Sequence, residues 1–169
     1  HTDNRRQRQM CIRDRKWRAF IEISMSHCDE IYSDLNVILR PEDTFGESQY
    51  KGTIPSILET LTEEGLLTES NGALCVFLDE FTDKNGEKQA VIVQKSDGGY
   101  LYATTDLAAI RHRARELEAD RILYFVDARQ TLHFRQIFTL ARKAGLCTPN
   151  LALEHISNGA ILNLSLIHI

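Results

Sequence analysis

YLYATTDLAAIRHRARELEADRILYFVDARQTLHFRQIFTLARKAG, residues 100–145, is the stretch that decides the fold. Tyr100–Ala103 reads as a short strand of aromatic and aliphatic residues. Thr104 or Thr105 then suits the cap of a helix running to about Glu118, with Asp106 in its first turn, because a side-chain oxygen there satisfies an orphan backbone N–H. Ile122–Val126 is an unbroken apolar run between charged residues, the pattern of a strand buried on both faces. Phe134, Ile137, Phe138 and Ala141 recur at helical spacing, and Gly145 stops that helix with Pro149 beyond it. Strand, helix, strand, helix in this order predicts an α/β fold, with a parallel sheet and flanking helices.

Working outward, Leu151–Ile156 and Ala160–Leu162 offer further strand pieces. On the other side, Ala73–Leu78 and Gln89–Lys95 flank Asp83-Lys84-Asn85-Gly86. Asn and Gly tolerate positive φ, so this reads as a small β-hairpin inserted beside the sheet. Ile54, Ile57, Leu58 and Leu61 form one apolar helix face, with Gly65 as its C-terminal cap. Residues 42–53 are polar and read as a loop. Leu35, Val37 and Leu39 alternate as in a short strand ended by Pro41. Phe20, Ile21, Ile23, Cys28 and Ile31 mark a helix from Trp17 to about Tyr32.

The 169 residues suffice for one domain with a real core, and 43% hydrophobic with 26% charged content excludes a disordered or fibrous chain. Apolar runs stay at strand length, far below the roughly 20 residues of a membrane helix, and the basic start lacks the apolar core of a signal peptide. A soluble, cytoplasmic protein without membrane partners is expected. The net charge of −4 is uneven: residues 1–18 hold seven Lys or Arg against two acids, leaving −9 for the rest. Such an arm can contact phosphates or simply be a tail. Cys11, Cys28, Cys75 and Cys147 form no C-x-x-C pair and no zinc-ligand spacing, so free thiols and no metal site are expected.

In open α/β sheets ligands gather at the carboxyl ends of strands. Two segments fall there, Tyr102–Asp106 and Asp127–His133. A carboxylate at Asp106 can take two N–H groups of a guanidinium, and the Tyr102 phenol offers a flat wall with a polar handle. Equally, Asp106 can do no more than meet a helix dipole. Gln130 can hydrogen-bond a cationic substrate and His133 can face a phosphate, or both can be ordinary polar residues of a turn and a first helical turn. No dinucleotide, P-loop or nucleophile-elbow motif occurs.

Longer segments carry a resemblance. KWRAFIEISMSHCDEIYSDLNVIL (16–39), FGES (45–48), GALCVFLDEF (72–81), QKSDGGYLYATTDLAA (94–109) and RILYFVDARQTLHFRQIF (121–138) together resemble the catalytic domain of bacterial arginyl-tRNA synthetases, in order and nearly without gaps from about Trp17 to Leu162. The resemblance implies a Rossmann-like class I catalytic domain that activates arginine with ATP and Mg2+ and transfers it to tRNA-Arg. It implies arginine contacts from Tyr102, Asp106 and Gln130, with Asp106 reading the guanidinium. It places His133, His155 and Gly159 on the ATP side, and implies a monomeric full-length enzyme.

Neither the family's H-I-G-H-type motif nor its K-M-S-K-type lysine loop occurs in this chain, so an incomplete catalytic domain, inactive alone, is expected. Met10–Arg15 and Asn163–Ile169 depart from the family's pattern, so residues 1–16 and 163–169 are expected to be non-native tails around a partial domain at 17–162. Two rival readings compete: a non-catalytic module binding arginine or another cationic metabolite, and a relic that does not fold alone.

Overall fold

The structure, a computed structural model, describes residues 2–159, with side chains from residue 14 onward. The chain divides into two compact units, 1–45 and 46–169. The expected strand at Ala160–Leu162 and the tail at 163–169 lie outside the described residues.

The first unit is dominated by helix α1 (Thr2–Asp34), which contains the expected helix and begins before it. The strand expected at Leu35–Leu39 does not form. Asn36 adopts a left-handed φ of 52°, and the Asn36 and Val37 amides donate to the Ser33 and Tyr32 carbonyls at 3.2 and 2.8 Å. These bonds close the last helical turn, so the first amides of the apolar run cap a helix instead of joining a ladder.

The second unit holds the core. Two 3-10 helices, Pro41–Asp43 at the end of the first unit and Glu47–Gly52 here, occupy most of the expected loop. Helix α2 (Ile54–Glu63) follows. Its end is the one the sequence signals: Gly65 has φ 66°, and the Gly65 and Leu66 amides return to the Thr62 and Leu61 carbonyls. Strands β1 (Thr68–Ser70), β2 (Ala73–Thr82) and β3 (Lys88–Gln94) form an antiparallel sheet in that order. The β2–β3 hairpin turns at the expected Asp83–Gly86, where the Asp83 carboxylate accepts from the Asn85 and Glu87 amides.

The chain then departs from the expected pattern. Tyr100 makes a single bridge to Gln94, and Tyr100–Ala103 is not a strand. Helix α3 (Tyr102–Arg115) begins at Tyr102, with extended Leu101 as its N-cap. Neither Thr104 nor Thr105 caps it. Thr104 is fully buried and its hydroxyl donates to the Val93 carbonyl of β3, so a tertiary contact claims the group that local capping would use. The helix ends at Arg115 rather than near Glu118, which is itself left-handed with φ 48°. Asp106 consequently lies in the second turn of α3, not the first.

Strand β4 (Arg121–Asp127), helix α4 (Thr131–Lys143) and strand β5 (Ala152–Asn158) make a β-α-β unit. β4 and β5 pair in parallel from Arg121 opposite Ala152 to Asp127 opposite Asn158. The parallel sheet and flanking helices are thus present, with the hairpin beside them. β4 is not buried on both faces: Ile122 and Tyr124 turn inward, while Leu123 is 39% and Phe125 71% exposed. The run is apolar throughout, yet only alternate residues meet the core.

One core joins these elements. Ile57 and Leu61 of α2, Val76 and Leu78 of β2, Val93 of β3, Leu107 and Ile110 of α3, and Ile137 and Leu140 of α4 are at most 1% exposed and belong to one cluster. Truncating any of the leucines or isoleucines among them to alanine would cost about 2–5 kcal/mol. This core fixes where the amino-terminal parts of α3 and α4 lie beside the carboxyl end of β4.

Candidate functional site

A cavity of about 630 Å³ opens at that carboxyl end. β4 contributes Tyr124 and Val126, the 3-10 turn after it Arg129 and Gln130, α4 His133 and Phe134, α3 Tyr102 and Asp106, and the 3-10 helix at 47–52 contributes Glu47. Four of the six residues singled out from the sequence, Tyr102, Asp106, Gln130 and His133, therefore line one volume. Tyr102 reaches it as the first residue of α3 rather than the last of a strand. Four residues later, one helical turn on, Asp106 lies on the same face.

The centre of the site is a hydrogen bond between His133 Nε2 and Asp106 Oδ2, 2.7 Å long, with side chains 14% and 27% exposed. An ionised carboxylate only accepts, so Nε2 carries the proton. The Tyr102 ring stands edge-on to the imidazole at 4.7 Å between centroids. Phe134 meets the same imidazole at 5.1 Å. The imidazole of the pair is thereby held by two aromatic rings.

Beneath it lies Tyr124, packed against Phe134 and Phe138 at 4.8 and 5.4 Å. Arg113 of α3 donates from Nη1 to its phenol oxygen at 2.9 Å. Burial pushes the Tyr124 phenol up to about 12, outweighing the opposing pull of Arg113. The phenol is therefore a neutral, fixed part of the floor. Burial also raises the Tyr50 phenol, partly offset by Arg113.

At the rim, the Asp127 carboxylate takes two guanidinium bonds from Arg129 at 3.0 Å and one from the Arg129 amide at 2.8 Å. Hydrogen bonds from Arg129 hold the Asp127 carboxyl below its ordinary value. Gln130 is exposed at the same edge.

The other two residues are placed differently. His155 does not line the cavity; its Nε2 donates to the Val126 carbonyl at 2.9 Å and its ring lies against Phe134 at 5.0 Å. Gly159 follows the carboxyl end of β5 and is exposed. Sequence reasoning missed Glu47, Tyr124 and Arg129 as cavity residues. Arg129 sits inside the segment already singled out and Glu47 inside FGES, but no local spacing ties either to Asp106. Among the described residues no group of three or more His, Cys, Asp or Glu side chains forms a metal-ligand set, and no helix is long and apolar enough to cross a membrane. Cys28, Cys75 and Cys147 are free thiols.

A cavity at the carboxyl end of a parallel strand is where an α/β domain ordinarily holds a small ligand, and a carboxylate lining it can pair chemically with a cation. Residues 4–165 match the family model described as the catalytic domain of class I (R) tRNA synthetases, and the chain belongs to that family. The particular relatives are uniform. The chain is 53% identical over 146 residues to the arginine–tRNA ligase of Hahella chejuensis and 56% identical over 145 to that of Stutzerimonas stutzeri, in each case covering 86% of this chain and 25% of the relative. Among solved structures, arginyl-tRNA synthetase from Plasmodium falciparum superposes with a TM-score of 0.76 at 32% identity, covering 89% of this chain and 26% of that one. The chain spans about a quarter of the length of the curated relatives it matches.

Proposed function

We propose that this chain is the arginine-recognising portion of an arginine–tRNA ligase, which activates arginine with ATP and transfers it to tRNA-Arg. The observation that carries the reading is the convergence of Tyr102, Asp106, Gln130 and Glu47 on one cavity. Asp106 offers its carboxylate to the guanidinium, a charge-assisted and geometrically selective pairing. Glu47 adds a second negative group to the same volume, suited to a ligand carrying more than one positive charge. Tyr102 forms a wall, and Gln130 hydrogen-bonds the amino acid from the rim.

His133, bonded to Asp106, stands where the two substrates meet, with His155 and Gly159 toward ATP. ATP is a substrate, accompanied by Mg2+; among the described residues no group of three or more His, Cys, Asp or Glu side chains could hold the ion. The chain's own contribution is to bind and orient arginine so that its carboxylate meets ATP. Stabilising charge on the transferring phosphate belongs to other parts of the enzyme.

The test is arginine-dependent ATP–pyrophosphate exchange by the full-length enzyme, with tRNA supplied. Arginine should support exchange, and citrulline, its neutral near-isostere, should not, because it leaves the carboxylates without a cationic partner. Comparable exchange with citrulline, or undiminished arginine exchange in Asp106→Asn, would remove the proposed role of Asp106.

A further inference from the structure

We infer that His133 is a positioning residue that sets the plane of the Asp106 carboxylate for guanidinium recognition, and that His155 supports it through Phe134. The inference rests on the arginine-pocket reading above.

The torsion that orients an aspartate carboxylate is soft and roughly two-fold, so the side chain alone does not choose its plane. Bidentate recognition of a flat guanidinium requires that choice. In this site the Nε2–H of His133 takes one acceptor position on Oδ2 at 2.7 Å. Oδ1 and the remaining lone pairs stay available to a ligand, since a carboxylate offers about four acceptor positions.

A donor orients its acceptor only if it is itself held. The His133 ring is wedged by two edge-on aromatic contacts, Tyr102 at 65° and Phe134 at 68° between ring planes. Phe134 lies in turn against His155, tilted by 31°. His155 is tied to the main chain by donating Nε2–H to the Val126 carbonyl, one residue from the end of β4. Ring contacts and hydrogen bonds thus run without a break from the backbone of β4 to the carboxylate of α3. His155, which does not reach the cavity, gains a role in it.

Two variants of the full-length enzyme isolate the His133 bond. His133→Gln keeps an amide N–H at about the reach of Nε2, whereas His133→Asn is one methylene shorter and cannot span the gap. Both are polar and both lose the ring contacts, so their difference reports the hydrogen bond. In ATP–pyrophosphate exchange the arginine KM of His133→Asn should exceed that of His133→Gln about tenfold, the usual worth of a hydrogen bond to a charged group. Their ATP KM values should agree within about threefold. Equal arginine KM values overturn the inference, as does a difference confined to ATP, which would make His133 an ATP contact only. Asp106→Asn separates the two levels. If it raises the arginine KM while the His133 variants agree, the positioning role alone falls; if it leaves the arginine KM unchanged, the pocket reading falls and takes the positioning role with it.

Discussion

Strand β4 has a carboxylate paired with a basic side chain near each end, and the two pairs differ in character. Near its amino end, Arg121 grips Glu154 of β5 through Nε and Nη2 at 2.7 and 2.8 Å, with side chains 59% and 39% exposed. Beside its carboxyl end, Asp106 accepts one bond at 2.7 Å from His133, whose ring meets those of Tyr102 and Phe134. By distance the two pairs are alike, and where the Asp106 pair makes one bond the Arg121 pair makes two. It opens onto solvent, where water screens it and a clasp between neighbouring strands is all it forms. The Asp106 pair lies where helices α3 and α4 start, beside a cavity of about 630 Å³, and its carboxylate keeps acceptor capacity in reserve. Partial burial and spare acceptor positions set the proposed binding pair apart from the exposed clasp; bond length does not.

The largest expected contrast between the two is in activity. In the full-length enzyme Asp106→Asn should lower arginine-dependent kcat/KM by about 10²–10³-fold, roughly 3–4 kcal/mol of lost recognition. Glu154→Gln should leave it within about twofold. Equal losses would dissolve the distinction between the two ends.

An intermediate effect concerns the cavity floor. The Tyr124 phenol is raised to about 12 in the folded chain from an ordinary value of 10.0. Above pH 10 the unfolded chain releases this proton first, so the native state binds more protons and stability falls as pH rises. The loss should be about 2 kcal/mol between pH 10 and 12, complete once the folded phenol ionises. Tyr124→Phe should flatten that part of the alkaline unfolding curve. An unchanged slope would show that other groups set it.

The smallest effect belongs to the exposed clasp. Hydrogen bonds from Arg121 hold the Glu154 carboxyl below its ordinary value, yet Arg121→Gln should leave Tm unchanged at both low and high salt. A salt-dependent drop in Tm would show the clasp to be structural after all.

Much of this was legible in the residues themselves. Asn85-Gly86 announced the hairpin, with Gly86 alone of the two at a positive φ, and Gly65 and Gly145, also at positive φ, announced two helix ends. The apolar faces of α2 and α4 followed from spacing. The failures share a cause. Leu35–Leu39 and Tyr100–Ala103 carry strand-like residues, but strands need partners, and these segments were taken up by a helix terminus and a helix start. Thr104 had the chemistry of a cap and was drawn instead to Val93. The apolar run of β4 suggested burial on both faces, though only Ile122 and Tyr124 are buried.

The site divides along the same line. Tyr102 and Asp106 share a helix face through local geometry, and Gln130 and His133 follow β4 through local order, so the sequence by itself determined which four side chains to watch. Only the tertiary structure decided that His133 would bond Asp106 across 27 residues of chain, that Glu47 and Tyr124 would join the cavity, and that His155 would stand behind it. Short-range periodicity is written in a sequence because it repeats along the chain. Contacts between distant segments are set by how the core packs, and no local spacing records that.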